Sequence, residues 1–197
     1  QGDKPNYAKA LDQFKHAAEL GLPKAKGILG QCYLNGRGIN RDPQKAAFWI
    51  KQAASAGDKI AQFTLGIMYT SGEGIGQNST LAFRWYLKAA AQGHTAAMAN
   101  IGVLHETGQG VKQNFHEAFR WYEMAAKPGL PTAQCNLGQL YATGRGVKAD
   151  PAKAAEWYLK AARQGHAQAQ FLLGTALYFG KGVKQDPVIA YQWICLA

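Results

Sequence analysis

Apolar residues fall along this chain in two alternating kinds of stripe. One carries Ala25, Leu29 and Tyr33, four residues apart, and returns as Ala133, Leu137 and Tyr141. The other carries Ala46, Trp49, Ile50, Ala53 and Ala54. It returns as Ala82, Trp85, Tyr86, Ala89 and Ala90, and again as Ala154, Trp157, Tyr158, Ala161 and Ala162. Both have the spacing of an amphipathic helix and not the alternation of a strand. They predict five first-type (A) helices near 24–35, 60–71, 96–107, 132–143 and 168–179. Six second-type (B) helices begin at Asn6, Asp42, Asn78, Asn114, Asp150 and Asp186.

Polar punctuation agrees with these boundaries. Every B helix opens on Asn or Asp, whose side chain can accept from the unpaired amides of the first turn. Pro43, Pro151 and Pro187 follow directly, with φ already suited to the first helical position. B helices stop at Gly21, Gly57, Gly93, Gly129 and Gly165, and Pro23 and Pro131 open two of the A helices. Between A and B stands Gly-x-Gly, at Gly36/Gly38, Gly72/Gly74, Gly108/Gly110, Gly144/Gly146 and Gly180/Gly182, always thirty-six residues apart. An invariant period of this size marks a helical solenoid, in which each hairpin buries its apolar face against the next.

The whole of 1–197 therefore reads as a single array. A B helix covers 6–20, full repeats cover about 22–57, 58–93, 94–129 and 130–165, and a partial repeat covers 166–197. A fragment of a longer array is the expectation, since both ends cut a repeat. Gly30, Gly66, Gly102, Gly138 and Gly174 recur in mid-helix, where glycine costs about 1 kcal/mol relative to alanine. They predict a close approach by the paired B helix. The Trp column is expected to pack between repeats.

Composition narrows the functional classes. No run of about eighteen apolar residues occurs, so no helical membrane span is predicted. Three cysteines, Cys32, Cys135 and Cys195, are too far apart along a solenoid for a disulfide, and read as mostly buried thiols. Lys and Arg number 22 against 12 Asp and Glu, an excess of ten that suits an acidic partner or an anionic surface. Ser55, Ser71 and Ser79 are the only serines and none has Lys three residues on, so no Ser-x-x-Lys nucleophile is present. His105-Glu106 and His116-Glu117 open like a zinc-protease motif but lack its second His, and His94 and His166 fall in turns. The reading is of a non-enzymatic chain with no cofactor and no metal.

The stretch Ala133, Leu137-Gly138, Tyr141, Gly144-Arg145-Gly146-Val147, Asp150-Pro151, Ala154, Trp157-Tyr158, Ala161-Ala162 and Gly165 resembles the Sel-1-like repeat family, a relative of the tetratricopeptide repeats. The resemblance covers essentially the whole chain. Departures are few: His105 and Leu177 stand for the A-helix Tyr, Gln13 for the first Trp, and Pro128 interrupts one B helix. It implies an all-α, right-handed α/α solenoid acting as a scaffold or adaptor, in bacteria often exported to the periplasm or beyond. A cytoplasmic location is the alternative.

By the same resemblance, A helices line a concave groove, which makes its variable columns the candidate face for a partner protein or peptide. These are Lys24, Ile28 and Gln31, then Ile60, Thr64 and Ile67, Asn100 and Val103, Asn136 and Gln139, and Gln168 and Leu172. Asn100 and Asn136 are equivalent, and could ladder onto an extended peptide backbone or serve local hydrogen bonds. A second candidate is the A-to-B loop rim, with Arg37, Arg41, Lys112, Arg145, Lys148, Lys181 and Lys184 and only Glu73 opposing them outside the caps. That rim suits a polyanion or an anionic surface, though without base-reading aromatics it is not expected to recognise a specific nucleic acid. A monomer is expected.

Overall fold

The computed structural model describes residues 7–197, and side chains from residue 10 onward. Eleven α-helices fill the described residues. The B helices are α1 (Tyr7–Glu19), α3 (Pro43–Ser55), α5 (Ser79–Ala91), α7 (Phe115–Ala126), α9 (Pro151–Ala162) and α11 (Pro187–Leu196). The A helices are α2 (Pro23–Asn35), α4 (Lys59–Ser71), α6 (Thr95–Thr107), α8 (Pro131–Thr143) and α10 (Ala167–Phe179). The chain forms two compact units, Gln1–Ala97 and Met98–Ala197. Within each, a helix packs on the one that follows it, as α2 on α3, α3 on α4, α8 on α9 and α9 on α10.

The caps form where the sequence places them. Asp42, Asn78 and Asp150 each accept the N–H three residues on, at 3.0, 2.9 and 3.0 Å. Asn114 and Asp186 accept two N–H groups apiece. Asn6, the sixth predicted cap, lies outside the described residues. The cap residue's own N–H closes the preceding turn on a carbonyl nine residues back, at Tyr33, Tyr69, His105, Tyr141 and Leu177, over 2.8–3.0 Å. Because the bond uses the backbone, His105 and Leu177 replace Tyr without altering the turn.

The mid-helix glycines face the B-helix core. A Cβ on Gly102 would stand 2.5 Å from Tyr122 Cε1, and one on Gly138 would stand 2.6 Å from Tyr158 Cε1. On the B helices Tyr86, Tyr122 and Tyr158 are the buried rings. The tryptophans one position earlier are only half-buried. Even so they bridge repeats: Trp157 packs on the cluster of Tyr122, Ala126 and Leu137, and Trp49 on that of Leu11, Ala18 and Leu29. Lys88 and Lys160 cover the outer faces of Trp85 and Trp157 at 4.2 and 4.0 Å. The predicted packing role stands, while the fully enclosed aromatic is the tyrosine.

Buried glutamines add a tie from one repeat to the next. Gln62 donates to Ala54 O (3.2 Å) and accepts from Gln92 (2.8 Å). Gln134 does the same with Ala126 O (3.2 Å) and Gln164 (2.9 Å). The cysteines depart from expectation. Only Cys135 is buried, which pushes its thiol up to about 11, whereas Cys32 is half-buried and Cys195 exposed.

Candidate functional site

Each A helix turns one stripe into the core and leaves the next stripe open. In the first unit Lys24 is exposed, Gln31 and Thr64 are half-buried, and Ile28, Ile60 and Ile67 are 38%, 50% and 41% exposed. Lys24, Ile28, Gln31 and Ile60 meet around a depression of about 290 Å³ floored by Gly27 and Ala61, with Asp58 at its edge. The Asp58 carboxylate accepts from Ala61 N at 2.7 Å, so it is committed to starting α4. Thr64 returns its hydroxyl to Ile60 O at 2.9 Å, which leaves the depression mainly apolar beside one lysine.

In the second unit Asn100, Asn136, Gln139 and Leu172 are half-buried, Gln168 is exposed, and Val103 is 37% exposed. Leu172 borders a depression of about 280 Å³ with Ala142, Tyr158, Thr175 and Lys181. Asn136 has a local role that column spacing did not assign. Its side chain donates to the hydroxyl of Tyr122, which in turn donates to Glu106 Oε2 at 2.7 Å. Burial first, then the Glu106 contact, holds the Tyr122 hydroxyl far above the usual phenol range. One repeat earlier, Thr70 meets Tyr86 at 3.1 Å from the position equivalent to Glu106. A polar residue there, one after the A-helix Tyr or His, is the signal that could have revealed the relay.

All seven rim cations are exposed, but they are not alike. Arg41 forms an ion pair with Glu73 and donates Nε to Leu34 O at 3.1 Å, closing the end of α2. Gln77, Gln113 and Gln185 close their own A helices in the same way, each at 2.8 Å, so Arg41 holds a structural position. Arg145 sits over the Phe115 ring at 5.4 Å and Lys181 over Phe179 at 5.5 Å. The turn histidines have a use in the backbone: Nδ1 of His94 accepts from Ala97 N, and Nδ1 of His166 from Ala169 N, each at 3.3 Å.

Helical hairpins repeated at constant spacing, with one variable A-helix stripe left open, define an all-α repeat protein of the interaction-module class. The chain belongs to the Sel1 repeat family, whose pattern matches residues 23–58, 59–94, 95–129, 131–166 and 167–197. It is similar to a solved Sel1 repeat protein from Oxalobacter formigenes, with 34% identity and a TM-score of 0.91, covering 96% of this chain and 76% of that one. A protective antigen of uropathogenic Escherichia coli strains displaying the same repeat fold is 31% identical at a TM-score of 0.63. That match covers 94% of this chain and 48% of the antigen. An immunity protein of Pseudomonas aeruginosa, at 21% identity and a TM-score of 0.60 over 98% of this chain and 76% of its own, shares the fold. None of the curated proteins matches. Sel1 repeats are generally protein–protein interaction modules and generally non-catalytic.

Proposed function

We propose that this chain is a non-enzymatic scaffold, monomeric on its own, which takes a partner polypeptide along the groove face of its A helices. The observation that carries this reading is the uncovered apolar stripe. Within the first unit Ile28, Ile60 and Ile67 stay over a third exposed although fully buried positions lie one step away on the same helices. Isolated exposed apolar residues are ordinary, whereas several in phase on one face favour contact with another chain. Beside them Lys24 and Gln31 supply polar groups of the kind that interaction surfaces use for orientation, and on the A helices of the second unit Gln139 and Gln168 offer the same.

The test is capture from the native cell extract followed by titration of the recovered partner. Ile60→Glu with Ile67→Glu should weaken binding at least about tenfold, because each places a charge in an apolar contact. Sizing chromatography of the purified chain should give the monomer mass. Unchanged affinity in this double variant, with an unchanged helical spectrum, would refute the groove reading.

A further inference from the structure

The five A-to-B turns share one backbone closure but carry different charges. Two residues before the cap stand Asn40 and Gly76 in the first unit, and Lys112, Lys148 and Lys184 in the second. Five before the cap stand Arg37 and Glu73, then Gln109, Arg145 and Lys181. The single acid therefore falls in the first unit, where it is paired with Arg41. From residues 108–113, 144–149 and 180–185 the second unit presents five exposed cations and no carboxylate. The neighbouring cap carboxylates are engaged locally: Asp150 with Lys153 N and Nζ (3.0 and 3.4 Å), and Asp186 with two amides of α11.

Contacts between successive turns hold these lysines one repeat apart. Gly146, at φ +70°, lies so close to the Phe115 backbone that a Cβ would collide with it, and Gly182 stands likewise against Pro151. His116 Nδ1 also lies 3.2 Å from Gly146 O. Of the rim rings, Phe115 is half-buried beneath Arg145, and Phe179 is 61% exposed beside Lys181; the positions equivalent to Phe179 at the other two turns are Thr107 and Thr143, so no row of rings accompanies the lysines for successive bases to stack on. Val111, Val147 and Val183 are half-buried in their turns, and the exposed rings Tyr178 and Phe179 flank the 180–185 turn without counterparts at 106–107 or 142–143, so the row as a whole offers a lipid layer charge and not an apolar face.

We infer that the turn edge of the second unit binds an acidic polypeptide segment, with Lys112, Lys148 and Lys184 meeting its carboxylates. An extended chain advances about 3.3–3.6 Å per residue, so an Asp/Glu-rich segment can present a carboxylate opposite each lysine. Complementary charge of this kind mainly accelerates encounter and sets register. The three lysines stand on the turns and not on the A helices, although Lys181 borders the Leu172 depression, and the inference is independent of the partner proposed for the A-helix face.

The probe is a fluorescein-labelled poly-glutamate peptide, titrated by anisotropy with the whole chain. Single-stranded oligonucleotide of equal charge and vesicles containing phosphatidylserine serve as comparators. Replacing Lys112, Lys148 and Lys184 together with Gln should weaken peptide binding by about tenfold or more, and Lys148→Gln alone by a few-fold. Arg37→Gln in the first unit should leave it unchanged. Wild-type affinity should fall between about 50 and 200 mM salt. The proposal is overturned by no peptide binding, by equal binding of the triple variant, or by tighter binding of oligonucleotide or vesicles than of peptide.

Discussion

Gly102 and Tyr122 show how one column can constrain another. With no Cβ at position 102, the A helix approaches closely enough for a whole phenol ring to be enclosed, and the ring's hydroxyl then needs partners, which Glu106 and Asn136 supply. Gly102→Ala should destabilise by about 1–3 kcal/mol, since overpacking exceeds the smaller gain in helix propensity. Asn136→Ala should cost about 1 kcal/mol from the lost hydrogen bond, measured by urea denaturation. A variant as stable as wild type would show that the relay contributes nothing.

His94 adds a pH dependence at the same scale. It is stacked on Phe63 at 4.2 Å, and burial, then the charge of Lys59, lowers its pKa below the ordinary histidine value. Its Nδ1 is also occupied as an acceptor. The unfolded chain therefore binds this proton more readily, and the stability that His94 contributes is complete above about pH 6.5 and lost as pH falls below it. His94→Asn can retain an acceptor and should flatten the stability curve between about pH 7 and 5. An unaltered slope would assign the dependence elsewhere.

At the scale of the element, the five B helices α3, α5, α7, α9 and α11 each start on a side-chain cap. Hydrogen bonds from the helix amides, the Lys45 and Lys153 N–H foremost, hold the Asp42 and Asp150 carboxyls below the usual range. That contribution is present above the unfolded carboxyl value near 4 and is lost as pH falls through the lowered folded value. Asp150→Ala should lower the midpoint of thermal or urea melts, whereas Asp150→Asn should keep most of the cap. Equal losses in the two variants would mean that charge, and not hydrogen bonding, is what the helix uses.

Across the whole molecule, stability should be distributed and not shared equally. Repeat arrays sum local hairpin terms and interfaces, so protection follows burial within each unit. In α8 six residues are buried and in α9 five, while in α11 only Ala190 is. Amide hydrogen exchange should accordingly be slower in α8 and α9 than in α11. Equal protection of the three helices would show unit-wide cooperativity instead.

The period, the helix order and the caps were all legible in the residues, because each depends on near neighbours: a glycine where φ must be positive, an Asn or Asp where amides lie unpaired, an apolar face every third or fourth position. Burial at a finer grain was not. That the tyrosine and not the adjacent tryptophan is enclosed depends on which ring meets the glycine of the facing helix, a relation across twenty residues that periodicity leaves open. The same holds for Asn136, which the column pattern placed beside the open face and the Tyr122 hydroxyl draws into a half-buried relay. Arg41 and Glu73, thirty-two residues apart, neutralise each other only because stacking brings consecutive turns together. Local chemistry determined the elements, and only their packing decided which polar groups were satisfied internally and which were left for a partner.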